Sequence, residues 1–371
     1  MKKALVMLLV TVMAGMLLAG CGKETDSSKV PVYKIGCIIY GKEDSLGAMC
    51  YSLLNAAAKA TGCELSFAMG SYDASAQIAD AENLIASGVD GLLVLPLAET
   101  ASQKIGAICE EQHIPWAIMM RTVLDEQIKT ELQNSKYFVG NILGDDIGNA
   151  KELTRIAAQD FGMKKVCVVY SPEGSSTALR NVGIKEGMEE YGMTQIAEST
   201  PGGGDMSGVS GMIQTFITTN PDMDGILCTS GAAGVGEVII STLEQMAPEK
   251  VKFAVLDTFG GMEESFEDGR LAAVCGGQAP IALFTYSMLY NAVDGHRLTQ
   301  EPIELQQKYI FVSSAEQCEL FTKYVINPDY ELFSQEDIRE LTVRYAPGFS
   351  IEKLEQAMED CNLENLTKGL E

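Results

Sequence analysis

The chain has 371 residues, 46% of them hydrophobic, and its 51 acidic residues outnumber 27 Lys and Arg, giving a formal charge of −24. This length predicts about two domains, and the apolar content excludes intrinsic disorder. The negative charge disfavours nucleic-acid binding because phosphate neutralisation requires clustered Lys and Arg. With only 2 His, the chain has little material for His-rich metal sites or His-based catalytic triads.

The first twenty residues predict an export signal. Two lysines precede a 15-residue apolar run over 4–18, which is shorter than the ~20 residues of a membrane-spanning helix. The segment LAGC at 18–21 resembles the lipobox of bacterial lipoproteins, which implies cleavage before Cys21 and attachment of diacylglycerol to its sulfur. The polar residues 22–29 then predict a flexible tether. An ordinary signal peptide with a chance Cys is the alternative.

From residue 34 onward, short apolar runs alternate with helical patterns, which is typical of a parallel sheet covered by helices on both faces. The first series predicts strands at 34–40, 64–69, 91–95 and 116–119, and helices at 46–60, 74–87 and 100–111. A second series, joined near 139–141, predicts strands at 165–169, 195–197, 225–228, 252–256 and 272–275, and helices at 145–161, 176–191, 207–219, 232–246 and 262–268.

A long helical pattern over 281–294 and short strand patterns near 303–305 and 309–312 follow the second series. The helix needs a surface to pack on, and its return to the first lobe predicts several crossings between the lobes. Two doubly wound lobes bind ligands at the carboxyl ends of their strands, so facing lobes predict a cleft with hinged closure. Residues 330–371 carry no strand pattern and predict a helical appendage.

The predicted fold class is therefore α/β, with two doubly wound parallel-sheet lobes and a multi-crossing hinge. The predicted divisions are a signal peptide at 1–20, a tether at 21–32, an N-terminal lobe at 33–139 plus 281–307, a C-terminal lobe at 140–280 plus 308–329, and the appendage at 330–371.

Nine cysteines remain beyond Cys21, and they form no C-x-x-C motif. Four of them lie inside predicted strands: Cys37, Cys167, Cys228 and Cys275. Single buried thiols behave as small hydrophobic residues. We therefore expect reduced core cysteines rather than a disulfide framework, and Cys318 with Cys361 is the one pairing that needs checking.

Several phrases occur in a characteristic order along 34–312. They are KIG, ENLIASGVDGLLVLP, HIPWAIMMR, GSSTALRNVGIKEGM, LDT and EDGRLAAVCGGQAP. Together they resemble the type I periplasmic binding proteins, the family of ribose- and galactose-binding proteins and of lactose-repressor-type sensor domains. The resemblance implies two hinged lobes that close on a small ligand.

The resemblance also implies ligand contacts, residue by residue. Arg121 and Arg180 match family arginines that donate to ligand oxygens, and Asp257 matches an acceptor of sugar hydroxyl protons. The guanidinium fork suits vicinal hydroxyls or a carboxylate. The other implied contacts are Gln278 near the hinge, Asn141 at the first crossing, Ser230 where the family often has Asn, and Glu43 and Asp44 in the first binding loop.

Two departures from the family pattern bear on the ligand. Met120 stands where sugar binders usually place an Asp, and neither the loop after the first strand nor the loop at 201–205 carries an aromatic ring. Ring stacking adds about 1 kcal/mol beyond the area buried, so its loss is a handicap for a hexose site. We expect a small polar ligand with several oxygens, sugar-like first, with an anionic or nucleoside-like molecule next.

The leading interpretation is a monomeric, lipid-anchored solute-binding protein that delivers its ligand to the permease of an ABC importer, without cofactor, metal or nucleic acid. A sensor that presents its closed form to a membrane receptor kinase or chemoreceptor is the alternative. An enzyme is disfavoured because no nucleophile–base pair is evident. The glycine-rich segments at 201–205, 208–211 and 231–236 lack the spacing of a phosphate loop, a serine elbow or a dinucleotide fingerprint.

Overall fold

Strands and helices alternate along the chain in this computed structural model, which describes residues 31–43, 45–70, 73–172, 177–201, 206–246 and 250–370. The strands are β1 (Lys34–Ile38), β2 (Glu64–Ala68), β3 (Gly91–Val94), β4 (Trp116–Met119), β5 (Phe138–Gly144), β6 (Lys165–Val169), β7 (Thr194–Ser199), β8 (Gly225–Cys228), β9 (Lys252–Leu256), β10 (Leu271–Gly276), β11 (Ile303–Gln307) and β12 (Ile310–Val312).

The helices are α1 (Ser45–Thr61), α2 (Ala74–Ala86), α3 (Glu99–Gln112), α4 (Glu126–Gln133), α5 (Asp146–Arg155), α6 (Ala178–Glu190), α7 (Met206–Thr219), α8 (Val235–Met246), α9 (Met262–Glu267), α10 (Pro280–Val293), α11 (Ala315–Leu320), α12 (Gln335–Glu340), α13 (Ile351–Glu359) and α14 (Leu363–Leu366). Single π-helical turns at Ile156–Asp160 and Phe321–Val325 continue α5 and α11. Among the described residues, no helix combines the length and apolar character needed to span a membrane.

The strands form two six-stranded sheets of equivalent order. Sheet A runs β11-β5-β4-β3-β1-β2 and is parallel throughout. Sheet B runs β12-β10-β9-β8-β6-β7, and only its edge strand β12 is antiparallel. Strands β3, β4 and β8 are buried at every residue, as expected for parallel strands covered on both faces. The predicted pair of doubly wound α/β lobes, which we call lobe A and lobe B after their sheets, is confirmed.

The chain crosses between the lobes three times. After β5 it enters α5, which packs on α6 and against β9 and β10 of sheet B. After β10 it enters α10, which packs on β3, β4 and β5 of sheet A. The third crossing joins β11 of sheet A to β12 of sheet B. These crossings confirm the predicted multi-crossing connection.

Two elements differ from the prediction. The segment around 139–141 was predicted to be the junction between the two series. It instead lies within β5, which is buried at every residue and pairs with both β4 and β11. Helix α4 was not predicted because only Ile128 and Leu132 are buried in its 8 residues, too few to establish a helical period.

The C-terminal helices are built into the main core. Leu354 and Met358 are buried in the same apolar cluster as residues of α1 and α10. Arg344 forms an ion pair through two nitrogens with Asp294, whose side chain is fully buried and also accepts a hydrogen bond from Tyr33 Oη at 3.0 Å. Helix α14 then contacts the π-helical turn after α11 in lobe B. The segment after residue 330 therefore packs against both lobes.

The nine cysteines in the described part of the chain form no disulfide, and eight of them are buried, as expected for core positions. Cys318 and Cys361 do not pair. Burial raises the pKa of Cys228 and Cys361 to about 12, so these thiols are unreactive at neutral pH.

Helices α5 and α6 approach so closely that Gly183 leaves no room for a side chain. A Cβ at this position would lie 2.3 Å from the Ile147 carbonyl oxygen and 2.8 Å from Ala150 Cβ. We expect Gly183→Ala to lower the free energy of unfolding by about 2 kcal/mol, as overpacking does, when measured by urea denaturation.

Gly211→Ala is the matched control because Gly211 lies in α7 with no atom within 4 Å of the added Cβ. Alanine there is expected to raise the free energy of unfolding by up to about 1 kcal/mol through its higher helix propensity. Stabilisation by both substitutions would show that α5 and α6 are farther apart than described.

Candidate functional site

Polar side chains follow the carboxyl ends of strands in both sheets. Arg121 comes shortly after β4 of sheet A, whereas Ser230, Asp257 and Gln278 follow β8, β9 and β10 of sheet B. Arg180 reaches the same edge of sheet B from the first turn of α6. The carboxyl edge is where α/β sheets bind their ligands, so this edge is the candidate site.

Asp257 is the centre of a hydrogen-bonded cluster on lobe B. Its Oδ2 accepts from Arg180 Nη1 at 2.8 Å and from Ser230 Oγ at 2.7 Å, while its Oδ1 accepts from Gln278 Nε2 at 2.7 Å. The Asp257 backbone has φ 70°, a left-handed conformation that costs a non-glycine residue roughly 1–3 kcal/mol and is concentrated at functional sites. Four of the predicted contacts, Arg180, Ser230, Asp257 and Gln278, are thus brought together.

Arg180 is buried between two carboxylates. Its Nε donates to Asp146 Oδ1 at 2.7 Å, and its Nη1 also donates to the Thr229 carbonyl oxygen at 3.1 Å. Only 6% of the Arg180 side chain is exposed, with 11% for Asp146 and 15% for Asp257. The Tyr309 ring centroid lies 5.8 Å from the guanidinium carbon. This arrangement fixes the orientation of the guanidinium before any ligand arrives.

Asp146 belongs to this cluster but was not among the contacts predicted from the sequence. It begins α5 directly after Asp145, whose carboxylate caps the helix by accepting from the Gly148 N–H. The sequence pattern therefore indicates only a helix start. Burial raises the pKa of Asp146, while the positive charges of Arg180 and, from lobe A, Arg121 act in the opposite direction. Asp146 thus interacts electrostatically with arginines from both lobes.

Arg121 is held on lobe A by an aromatic ring and by backbone contacts. Its Nη2 donates to Tyr40 Oη, and its guanidinium carbon lies 5.2 Å from the Tyr40 ring centroid. Its Nη1 donates to the Met120 carbonyl oxygen at 2.9 Å. Tyr40 lies just after β1, so the first strand does bring an aromatic ring to this edge, although the loop that follows it carries none.

Asn141 supports the backbone of Arg121. Its Nδ2 donates to the Arg121 carbonyl oxygen at 2.8 Å, and its side chain is buried within β5. Its Oδ1 has no hydrogen-bond partner among the residues that the structure describes.

The predicted first-loop contacts are not part of the Asp257 cluster. Glu43 is exposed, and its carboxylate accepts from the backbone N–H of Lys42 at 2.9 Å. Asp44 lies outside the described residues, as do Cys21, the predicted signal peptide and the glycine-rich segment at 202–205.

Two α/β lobes with polar groups at the carboxyl edges of their sheets define a two-lobed binding protein. A family model described as a periplasmic binding protein domain matches residues 35–297, and the chain belongs to this family. The predicted resemblance to type I periplasmic binding proteins is confirmed.

Named relatives are similar to this chain at low sequence identity. The xylitol-binding protein of Mycolicibacterium smegmatis is 23% identical over 233 residues, which cover 60% of this chain and 61% of that protein. An ABC transporter solute-binding protein from Bacillus halodurans C-125 with bound myo-inositol has a TM-score of 0.64 at 18% identity, covering 80% of this chain and 100% of that chain. One from Actinobacillus succinogenes 130z with bound D-allose has a TM-score of 0.65 at 16% identity, covering 77% and 99%.

Proposed function

We propose that this protein captures a small, polar, sugar-like ligand between its two lobes and delivers it to an ABC importer. The observation that carries the proposal is the preorganised cluster around Asp257. Its carboxylate already accepts three hydrogen bonds, at 2.7–2.8 Å, and keeps one acceptor position. Among the described residues, Arg180 donates through Nε and Nη1, which leaves the Nη2 donors for a ligand.

A donor beside an acceptor suits vicinal hydroxyl groups, because each hydroxyl both donates and accepts. Charge-assisted hydrogen bonds to Asp257 and Arg180 are about twice as strong as neutral ones. The names and bound molecules of the relatives support the same chemistry, since xylitol, myo-inositol and D-allose are all uncharged and polyhydroxylated.

The proposal places the binding lobes outside the cytoplasmic membrane as a monomer, tethered by a lipid on Cys21. The support is the LAGC segment at 18–21 together with membership of the periplasmic binding protein family. The permease of an ABC importer is the proposed partner, and binding followed by release is the proposed activity, with no chemical step.

A thermal-shift screen of the protein with xylitol, myo-inositol, D-allose and a set of amino acids tests the ligand class. A ligand present at 100 times its Kd is expected to stabilise the protein by about 2.7 kcal/mol. Asp257→Asn is expected to weaken that ligand about tenfold or more, because it replaces charge-assisted hydrogen bonds with neutral ones.

The control variant is Asp268→Asn, at an exposed carboxylate just after α9 in the same lobe, which should leave the ligand response unchanged. Stabilisation by an amino acid, with no response to any polyol or sugar, would contradict the proposed function.

A further inference from the structure

The charged side chains at the candidate site balance one another. Asp146 and Asp257 flank the buried Arg180 guanidinium with contacts of 2.7 and 2.8 Å. This group alone carries one net negative charge. Arg121, on lobe A, interacts electrostatically with Asp146, so the four side chains together are neutral.

We propose that Asp146 is a specificity-determining residue that makes the site accept uncharged polyols and reject sugar acids and sugar phosphates. The proposal rests on the proposed function, because it concerns which members of one ligand class the same site admits.

The hydrogen-bonding geometry of Arg180 supports this role. A guanidinium binds a carboxylate or phosphate strongly when two adjacent nitrogens donate in parallel. Asp146 occupies Nε, while Asp257 and the Thr229 carbonyl occupy Nη1. A guanidinium has two such pairs, Nε with Nη2 and Nη1 with Nη2. In Arg180, each pair therefore includes one nitrogen that already donates to the protein. Arg180 retains donors for single hydroxyl groups, but it offers no free pair for an anion.

The charge balance acts in the same direction. An anionic ligand entering a nearly buried site loses hydration, and opposite charge and hydrogen-bond donors at the site compensate for that loss. With Asp146 ionised, the site offers no net positive charge. Capping does not explain this carboxylate, because Asp145 already caps α5 through the Gly148 N–H. Among the described residues, the Asp146 carboxylate accepts its hydrogen bond from Arg180.

Asp146→Asn tests the role because asparagine keeps an oxygen for Arg180 Nε and removes the charge. Sulfate and D-glucuronate serve as anionic probes, with D-allose and myo-inositol as neutral ones, in thermal-shift titrations of the full protein at constant ionic strength. We expect the variant to bind sulfate or D-glucuronate at least about tenfold more tightly than the unaltered protein.

Asp160→Asn is the matched control, since it removes the same charge from an exposed carboxylate paired with Arg155. Asp146→Glu keeps the charge and is expected to keep the exclusion of anions, which separates the charge from a general disturbance of folding. Equal anion affinity in Asp146→Asn and Asp160→Asn would overturn the proposal, as would tighter binding of D-glucuronate than of D-allose and myo-inositol by the unaltered protein.

The sulfate titration requires no sugar to bind, so it tests Asp146 independently of the proposed function. Failure of all polyols and sugars to stabilise the unaltered protein would contradict the proposed function. Failure of Asp146→Asn to gain sulfate affinity would contradict the specificity role alone.

Discussion

Arg180→Met is expected to lower the free energy of unfolding by about 3–5 kcal/mol, because it leaves two nearly buried carboxylates without their counter-ion. Asp146 and Asp257 are only 11% and 15% exposed, so water replaces little of the lost interaction. Methionine retains much of the side-chain volume and therefore limits the cavity. Urea denaturation at neutral pH measures the loss.

Arg155→Met is the matched control for this substitution. Arg155 also contacts two carboxylates, those of Glu152 and Asp160, but its side chain is 31% exposed and its partners are 41% and 51% exposed. Exposed ion pairs contribute about 0–1 kcal/mol, so this variant is expected to remain close to the unaltered protein. Equal destabilisation by the two substitutions would show that burial of the Arg180 cluster does not determine its energy.

The pH dependence gives this comparison a second readout. The Arg180→Met penalty is expected to shrink as pH falls, because protonation neutralises the unpaired carboxylate of Asp146, whose pKa is raised by burial. A penalty that stays constant down to the acid limit of folding would point to lost packing rather than to uncompensated charge.

The fold was largely predictable from the sequence because buried parallel strands must be apolar along their whole length. Strands β4 and β8 were predicted at their observed bounds for this reason. Strand β5 was missed because burial there depends on its neighbours β4 and β11 rather than on its own composition. Gly140 and Asn141 look like a loop in sequence, yet both lie inside the sheet.

The candidate site was predictable from the sequence where one of its residues directly follows one strand. Asp257 and Gln278 were located through their positions after β9 and β10, which the family resemblance supplied. The Asp146–Arg180 contact was not predictable, because it joins α5 to α6 across 34 positions of sequence and depends on how closely these helices pack. Tyr309 reaches Arg180 from the third crossing for a similar reason. Contacts set by tertiary packing leave no local pattern.

The protein is expected to lose stability steeply above pH 9, because its buried thiols resist ionisation in the folded state. Burial raises the pKa of four thiols from about 9 to about 12, those of Cys109, Cys167, Cys228 and Cys361. It also raises the pKa of Cys37 and Cys275. Since the folded-state pKa exceeds the unfolded-state pKa, the stabilising contribution is complete below pH 9 and is lost as pH rises towards 12.

Each such thiol lowers the free energy of unfolding by about 1.4 kcal/mol at pH 10 relative to neutral pH. The four thiols with a folded-state pKa of about 12 together remove about 6 kcal/mol, a large part of the roughly 5–15 kcal/mol that stabilises a typical protein. Urea denaturation midpoints at pH 7, 8, 9 and 10, in the presence of a reductant, measure the loss. Cys361→Ala is expected to reduce the decline between pH 7 and pH 10 by about 1.4 kcal/mol, because one ionising group is removed from the unfolded chain.

The control is Val166→Ala, which truncates a fully buried side chain without removing an ionisable group. It is expected to lower stability equally at pH 7 and pH 10, so the two curves should run parallel. A decline of the same steepness in Cys361→Ala and Val166→Ala would show that ionisation of this thiol does not control alkaline unfolding. Comparing the two variants separates the effect of the thiolate charge from the effect of lost side-chain volume.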